Sequence, residues 1–197
     1  MNDRLLFIEN LSCEREGRQL FAGLNLRVCA SECVSLTGPN GSGKSTLLRC
    51  ISGLFPDYQG LIEVGSLEYL GHRPGVALAL SPLENLRWYQ SLGPDRPAGS
   101  ADLQELLERV GLAGYDEVLC QQLSAGQQRR VALARLTVGA GRLWLLDEPL
   151  TALDTDGQTL VRSLIDEHLA AGGAAVCATH QPLGIPGSFD LSLGPAR

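Results

Sequence analysis

Lysine is almost missing from this chain of 197 residues: Lys44 stands alone among 16 basic residues, and the other fifteen are arginines. Long apolar runs are missing too. No segment reaches the 18 or so apolar residues that a membrane-spanning helix needs, and the patch "VALAL" at 76–80 is short. The opening "MNDRLLFIEN" has neither the apolar core nor the small-residue cleavage site of a secretory leader. The chain is therefore expected to stay in the cytosol and to reach a membrane only through a partner. An excess of positive charge is also missing. With 22 acidic residues and a net charge of -6, nucleic acid is not expected as a partner. No two cysteines form a CxxC pair. Cys13, Cys29, Cys33, Cys50, Cys120 and Cys177 read as buried or incidental thiols, with a metal or disulfide role as the alternative. Cys29 and Cys33 are near enough in sequence to approach each other on one element. Internal repeats and low-complexity tails are absent.

What is present suits one domain with a real core: 44% of the residues are hydrophobic. "LLFIENLSC" (5–13) and "LNLRVCA" (24–30) read as strands around a polar turn, "EREGRQ". "ECVSLTG" (32–38) reads as a buried strand, and "KSTLLRCIS" (44–52) as a helix ended by Gly53. Short strands follow at 61–64 and 67–71. "SPLE" (81–84) is a capping box with proline at the first helical position. It opens a helix that points Leu83, Leu86 and either Trp88 or Tyr89 inward. A helix over 101–110 stops at Gly111, after a flexible surface connector at 93–99. "SAGQ" (124–127) is a second capping box, with a helix running to about Val138. "RLWLLD" (142–147) and "AAVCATH" (174–180) are apolar strands of the kind found at the centre of a parallel sheet. Between them, 156–170 is an amphipathic helix with Leu160, Val161, Leu164, Ile165 and Leu169 on one side. "SFDLSL" (188–193) closes an edge. Strands alternating with helices indicate an α/β sheet, preceded by an antiparallel part.

The chemistry sits where these strands end. "GPNGSGKST" (38–46) satisfies G-x-x-x-x-G-K-[ST], a phosphate-binding loop. Gly38, Gly41 and Gly43 let the backbone curl so that its N–H groups face an anion, and the following helix adds its positive end. Pro39, Asn40, Ser42 and Thr46 complete the loop. Lys44 places a point charge at the β- and γ-phosphates, and Ser45 offers a hydroxyl to Mg²⁺. "LWLLDEP" (143–149) delivers Asp147 to a strand end, where it can hold Mg²⁺ through water. Glu148 follows, placed to polarise the attacking water as a general base. A solvated turn before Pro149 is the competing reading of the two acids. Ser124 and the N–H groups around Ala125 and Gly126 form a second anion site at a helix start. One terminal phosphate does not need two such sites within one chain, so a second copy is expected to close over the nucleotide. "TALD" (151–154) could then carry Asp154 across the interface. His180 ends the next strand, either as a structural residue or as one that reaches the γ-phosphate. His72 and Arg73 stand just past a strand end, before the rigid Pro74–Gly75.

In order and spacing, these stretches resemble the ATP-binding subunit of ATP-binding-cassette transporters. "GPNGSGKST" looks like Walker A, "LWLLDEP" like Walker B with its catalytic glutamate, and "LSAGQ" like the family signature, which adds Gln127 to the nucleotide contacts. "TALD" looks like the D-loop and His180 like the switch histidine. The resemblance implies a RecA-like P-loop NTPase core with an antiparallel β subdomain and a small helical subdomain at roughly 72–138, all in one nucleotide-binding domain spanning 1–197. It implies ATP and Mg²⁺ as ligand and cofactor, and an ATP-sandwich dimer. Two positions depart from the family pattern. Arg15 stands where an aromatic residue usually stacks on adenine; its planar guanidinium can stack instead, and Phe21 is the alternative. His72 stands where the family places the glutamine near Mg²⁺ and the attacking water.

"YLGHRPGVALALSPLENLRWY", "LSAGQQRR" and the short chain together resemble the ATPase of the bacterial cytochrome c maturation system, often called the haem exporter ATP-binding protein. This implies a peripheral place on the cytoplasmic face of the inner membrane, a polytopic permease subunit and cytochrome c maturation proteins as partners, and no direct contact with haem. The stretch 76–80 then either grips a helix of the permease or packs within the helical lobe. The alternatives are an ATPase serving another substrate, a soluble cassette ATPase, and a nucleotide-binding scaffold without turnover.

Overall fold

The structure, a computed structural model, describes residues 3–92 and 100–194; the connector expected at 93–99 lies outside them. The chain begins with a long hairpin of β1 (Arg4–Arg15) and β2 (Arg18–Cys29). Glu16 and Gly17 turn it with φ of 54° and 74°, the two left-handed residues of the turn that best matches strand twist. β4 (Gln59–Val64) pairs with the other side of β1, giving an antiparallel sheet in the order β2-β1-β4. The strands run closer to the turn than the sequence indicated. Their tip is exposed on both faces, so no alternation marks it. Asn10, at φ 50°, sits at a register shift between Ile8 and Leu11. This irregularity lets Leu6 and Ile8, then Leu11 and Cys13, all face the core.

The second sheet has five strands in the order β5-β6-β7-β3-β8, comprising β3 (Cys33–Thr37), β5 (Leu67–Leu70), β6 (Leu143–Asp147), β7 (Ala174–Ala178) and β8 (Phe189–Ser192). All its pairings are parallel. Every residue of β6 and β7 is buried, because helices and the antiparallel sheet cover both faces; this accounts for their continuous apolar sequences. One core lies between the two sheets and α1 (Lys44–Ile51). Another lies on the opposite face, under α5 (Thr155–Ala170) and part of α4 (Ala125–Val138).

A third cluster joins α2 (Pro82–Ser91), α3 (Ser100–Arg109) and the rest of α4, through residues such as Leu86, Leu107 and Leu123. Within α2, Trp88 is 54% exposed, while Tyr89 turns inward and donates its hydroxyl to Glu68. Both expected capping boxes form. Ser81 Oγ accepts from the Glu84 amide while Glu84 Oε2 accepts from the Ser81 amide, and Ser124 and Gln127 do the same. All six cysteines are free and buried.

Register decides where the strand ends fall. Leu70 lies opposite Leu146, Asp147 opposite Ala178, and Ala178 opposite Leu36. The residues that follow β3, β5, β6 and β7 therefore emerge along one edge of the sheet, the usual ligand edge of an open α/β fold. Ser81→Ala should remove the buried acceptor at the start of α2 and cost about 1 kcal/mol. A lower midpoint of urea unfolding at unchanged slope is the expected result.

Candidate active site

The segment 38–46 leaves β3 and enters α1 as a tight loop. Gly38, Gly41 and Gly43 have φ of 137°, 77° and 96°. A Cβ on Gly38 would lie 2.4 Å from the Leu193 carbonyl oxygen, and one on Gly43 would press on Leu20 and Phe21. Glycine is thus required there by both conformation and space. Phe21 is buried under the loop, which removes it as a surface for adenine. Lys44 is 6% exposed, and its ammonium donates to the carbonyls of Gly38 (2.7 Å) and Pro39 (3.1 Å). The cation is held over the loop by the loop's own backbone. Thr46, one residue past Ser45, faces the same cavity.

Ser45, at the start of α1, donates its hydroxyl to Asp147 Oδ1 at 3.0 Å. Asp147 is only 2% exposed, and its Oδ2 has no hydrogen-bond partner among the described residues. A buried carboxylate oxygen without a partner is costly. Beside a serine hydroxyl, it forms an all-oxygen donor set suited to a hard divalent cation. These two residues fit the Mg²⁺ expected from the sequence.

Glu148 has φ 51°, a left-handed backbone that costs a non-glycine residue on the order of 1–2 kcal/mol. Its amide donates to the Ala178 carbonyl (2.9 Å), and its carboxylate meets His180 Nε2 at 3.1 Å. The strained turn carries the carboxylate off the strand axis and toward the histidine that follows β7.

These groups share one cavity of about 620 Å³, also lined by Arg15, Asn40, Gly41, Gly43, His72 and His180, within the size range of small-molecule sites. Its lining carries three cationic side chains, Lys44, Arg15 and Arg49, and two carboxylates, Asp147 and Glu148. Such a lining can take an anion at its cations, a divalent cation at the Ser45 and Asp147 oxygens, and a water at the Glu148 carboxylate beside His180. Arg49 and Thr151 line the cavity as well and were not anticipated. Arg49 lies one helical turn beyond Ser45, so helix spacing alone could have placed it there.

Ser124, Gly126 and Gln127 are elsewhere. They line a separate groove of about 370 Å³ with Arg130, Ala152, Leu153 and Asp154. The two spaces have no lining residue in common. Ser124 Oγ accepts from the Gln127 amide (3.2 Å), which leaves its own proton free to donate outward. Asp154 is engaged within the chain: Oδ1 accepts from the Gly157 amide (2.9 Å) and pairs with Arg130 (3.0 Å). The Gly157 amide, chiefly, holds its carboxyl below the usual range, with Arg130 adding to the effect.

The ABC transporter family matches residues 21–151. The cytochrome c biogenesis ATP-binding export protein CcmA of Pseudomonas syringae pv. tomato is 43% identical over 94% of this chain and 94% of that protein. Its namesake from Methylococcus capsulatus is 42% identical over 98% of this chain and all of its own length (100%). Among solved structures, an ABC transporter of metal-chelate type in an inward-facing conformation matches with a TM-score of 0.79 at 30% identity, across 98% of this chain and 80% of that one. A dimeric ATP-binding cassette in a post-hydrolysis state with ADP and Pi has the same fold, with a TM-score of 0.77 at 24% identity, across 90% of this chain and 88% of that one.

Replacing Lys44 by Ala removes the one buried ammonium at the loop. A charge-assisted contact of this kind is worth about 1.5–3 kcal/mol, so the affinity for MgATP should fall about tenfold to a hundredfold. Equilibrium nucleotide binding, with circular dichroism as a check on folding, measures the effect.

Proposed function

The chain belongs to the ABC transporter family, and from that premise we propose that it is the ATP-hydrolysing subunit of a bacterial inner-membrane complex required for c-type cytochrome biogenesis. The observation that carries the catalytic part is the convergence of Lys44, the Ser45–Asp147 pair and the Glu148–His180 pair on one cavity. The biogenesis role rests on the likeness to the export proteins of that pathway.

In this reading, the amides of 38–46 and Lys44 bind the β- and γ-phosphates, and Arg15 stacks on the adenine. Ser45 and Asp147 hold Mg²⁺, which when bound neutralises phosphate charge. Glu148 takes the proton of the attacking water, and His180 keeps its carboxylate turned toward the γ-phosphate position. His72 occupies the place of the family's glutamine and offers a hydrogen bond at the same cavity. Ser124, Gly126 and Gln127 close over the nucleotide held by a second copy, which explains why their groove lies apart from the phosphate loop. No helix among the described residues is long and apolar enough to cross a membrane. The subunit would sit peripherally on the cytoplasmic face, with a polytopic permease and cytochrome c maturation proteins as partners. Hydrolysis would drive haem handling or the release of a haem-loaded chaperone, without contact between this chain and haem.

Two measurements test this. Removing a general base costs about a hundredfold to ten-thousandfold in rate, so Glu148→Gln should bind MgATP, lose turnover and sediment as an ATP-dependent dimer. A mutant that stays monomeric at saturating ATP, even with its membrane partners, would count against the sandwich. In cells, deletion of the gene should abolish covalent haem attachment to c-type cytochromes while sparing b-type haem proteins, and Glu148→Gln should not restore it. Normal holocytochrome c in the deletion strain would remove the pathway assignment and leave the ATPase standing.

A further inference from the structure

Arg129 is 4% exposed, on the first turns of α4, yet among the described residues no carboxylate accepts a hydrogen bond from it. Its guanidinium spends its donors on three backbone carbonyls. One terminal nitrogen donates to Gly71 (2.9 Å); the other donates to Asp147 (3.1 Å) and Glu148 (2.9 Å). Its Nε has no partner among the described residues. Burial lowers its pKa from the usual arginine value, and the Asp147 carboxylate pulls it back up. A cation buried at this cost needs a reason.

The three carbonyls supply one. The Asp147 and Glu148 carbonyls belong to the two peptide planes that flank Glu148. Together with the Glu148 amide held by Ala178, they pin both backbone torsions of a residue at φ 51°. The Gly71 carbonyl belongs to the peptide plane that leads into His72. One rigid planar fork thus bridges the ends of two neighbouring strands, β5 and β6, at the residues just before or within the reactive edge. Both side chains whose backbone it fixes, Glu148 and His72, line the cavity. The fork is carried by α4, whose start at Ser124 lies five residues away, about 7.5 Å along the axis.

We propose that Arg129 is a positioning residue for hydrolysis: it sets the backbone orientation of Glu148 and His72 together and makes that orientation depend on the placement of α4. Contact at the Ser124 end of α4 is then transmitted to the base and to the His72 loop through one side chain. The phosphate loop, which Arg129 does not touch, is left out of this coupling. The proposal rests on the ATPase reading above and adds to it a link within the chain between the two separate anion sites.

Lysine cannot replace the fork, because a single ammonium on a flexible stem cannot span the carbonyls of two segments. Arg129→Lys and Arg129→Gln are compared with wild type using the full chain in native membrane vesicles. Misplacement of a catalytic group by about 1 Å can cost about a hundredfold in rate. Both variants should therefore lose about tenfold to a hundredfold in kcat and keep wild-type affinity for MgATP. Amide hydrogen exchange on the purified variants should quicken at 71–73 and 147–150 and stay unchanged at 38–46. Wild-type kcat in either variant overturns the proposal. So does a loss of MgATP affinity as large as the loss of kcat, or failure of both variants to fold, since each marks a purely structural role. Absence of turnover in the wild-type vesicles would instead strike the ATPase reading, which separates the two failures.

Discussion

The site depends on one constraint: β5, β6, β7 and β3 pair in parallel with a register that ends them together. Leu70, Leu146, Cys177 and Leu36 lie at neighbouring levels of the ladder, so the chain passes from apolar to chemical residues at one height across four strands. A slip of one residue in β6 would send Asp147 to the opposite face of the sheet and break its contact with Ser45. The full burial of β6 and β7 makes that register hard to change, since every alternative exposes leucine or buries a carboxylate in apolar surroundings.

Around that edge, charge is kept buried by backbone groups and hydroxyls as much as by counter-ions. Lys44 rests on two carbonyls, Arg129 on three, and Asp147 on the Ser45 hydroxyl. At Lys44 and Asp147, which line the cavity, these neutral partners leave the net charge available to a ligand. A lysine already paired with a carboxylate would be a weaker anion receptor. The low dielectric of a partly enclosed cavity strengthens what remains. The strain at Glu148 belongs to the same design: a left-handed residue persists where its flanking peptide planes are held from both sides, here by Ala178 and Arg129.

The groove of Ser124, Gly126 and Gln127 lies apart, at the start of α4, next to the loop that begins α5. That loop also carries a left-handed non-glycine residue, Ala152 at φ 63°. Arg130 ties α4 to Asp154, while its neighbour Arg129 ties α4 to the sheet edge. Two adjacent arginines thus tie one helix to the sheet edge and to the start of α5, and that helix is shared by the sheet core and the helical cluster.

Features that depend on contiguous residues could be read from the sequence. The glycine-rich turn at 38–46, the acids at the end of β6, both capping boxes and the glycine that ends α1 are local. Each is specified within a few residues, and the structure has the turn, the strand end and the caps where the sequence puts them. The alternation of strands and helices also revealed the α/β sheet, because burial on two faces writes apolar runs directly into a chain. The tertiary structure alone decided what depends on distance across the fold. The bulge at Asn10 follows from pairing with a partner strand. Trp88 rather than Tyr89 faces outward because Glu68, distant in sequence, accepts the tyrosine hydroxyl. The contact of Arg129 with three carbonyls leaves no trace in local pattern. An arginine in "QQRRVALAR" reads as one solvated charge among several until packing removes it from water and leaves backbone oxygens as its partners.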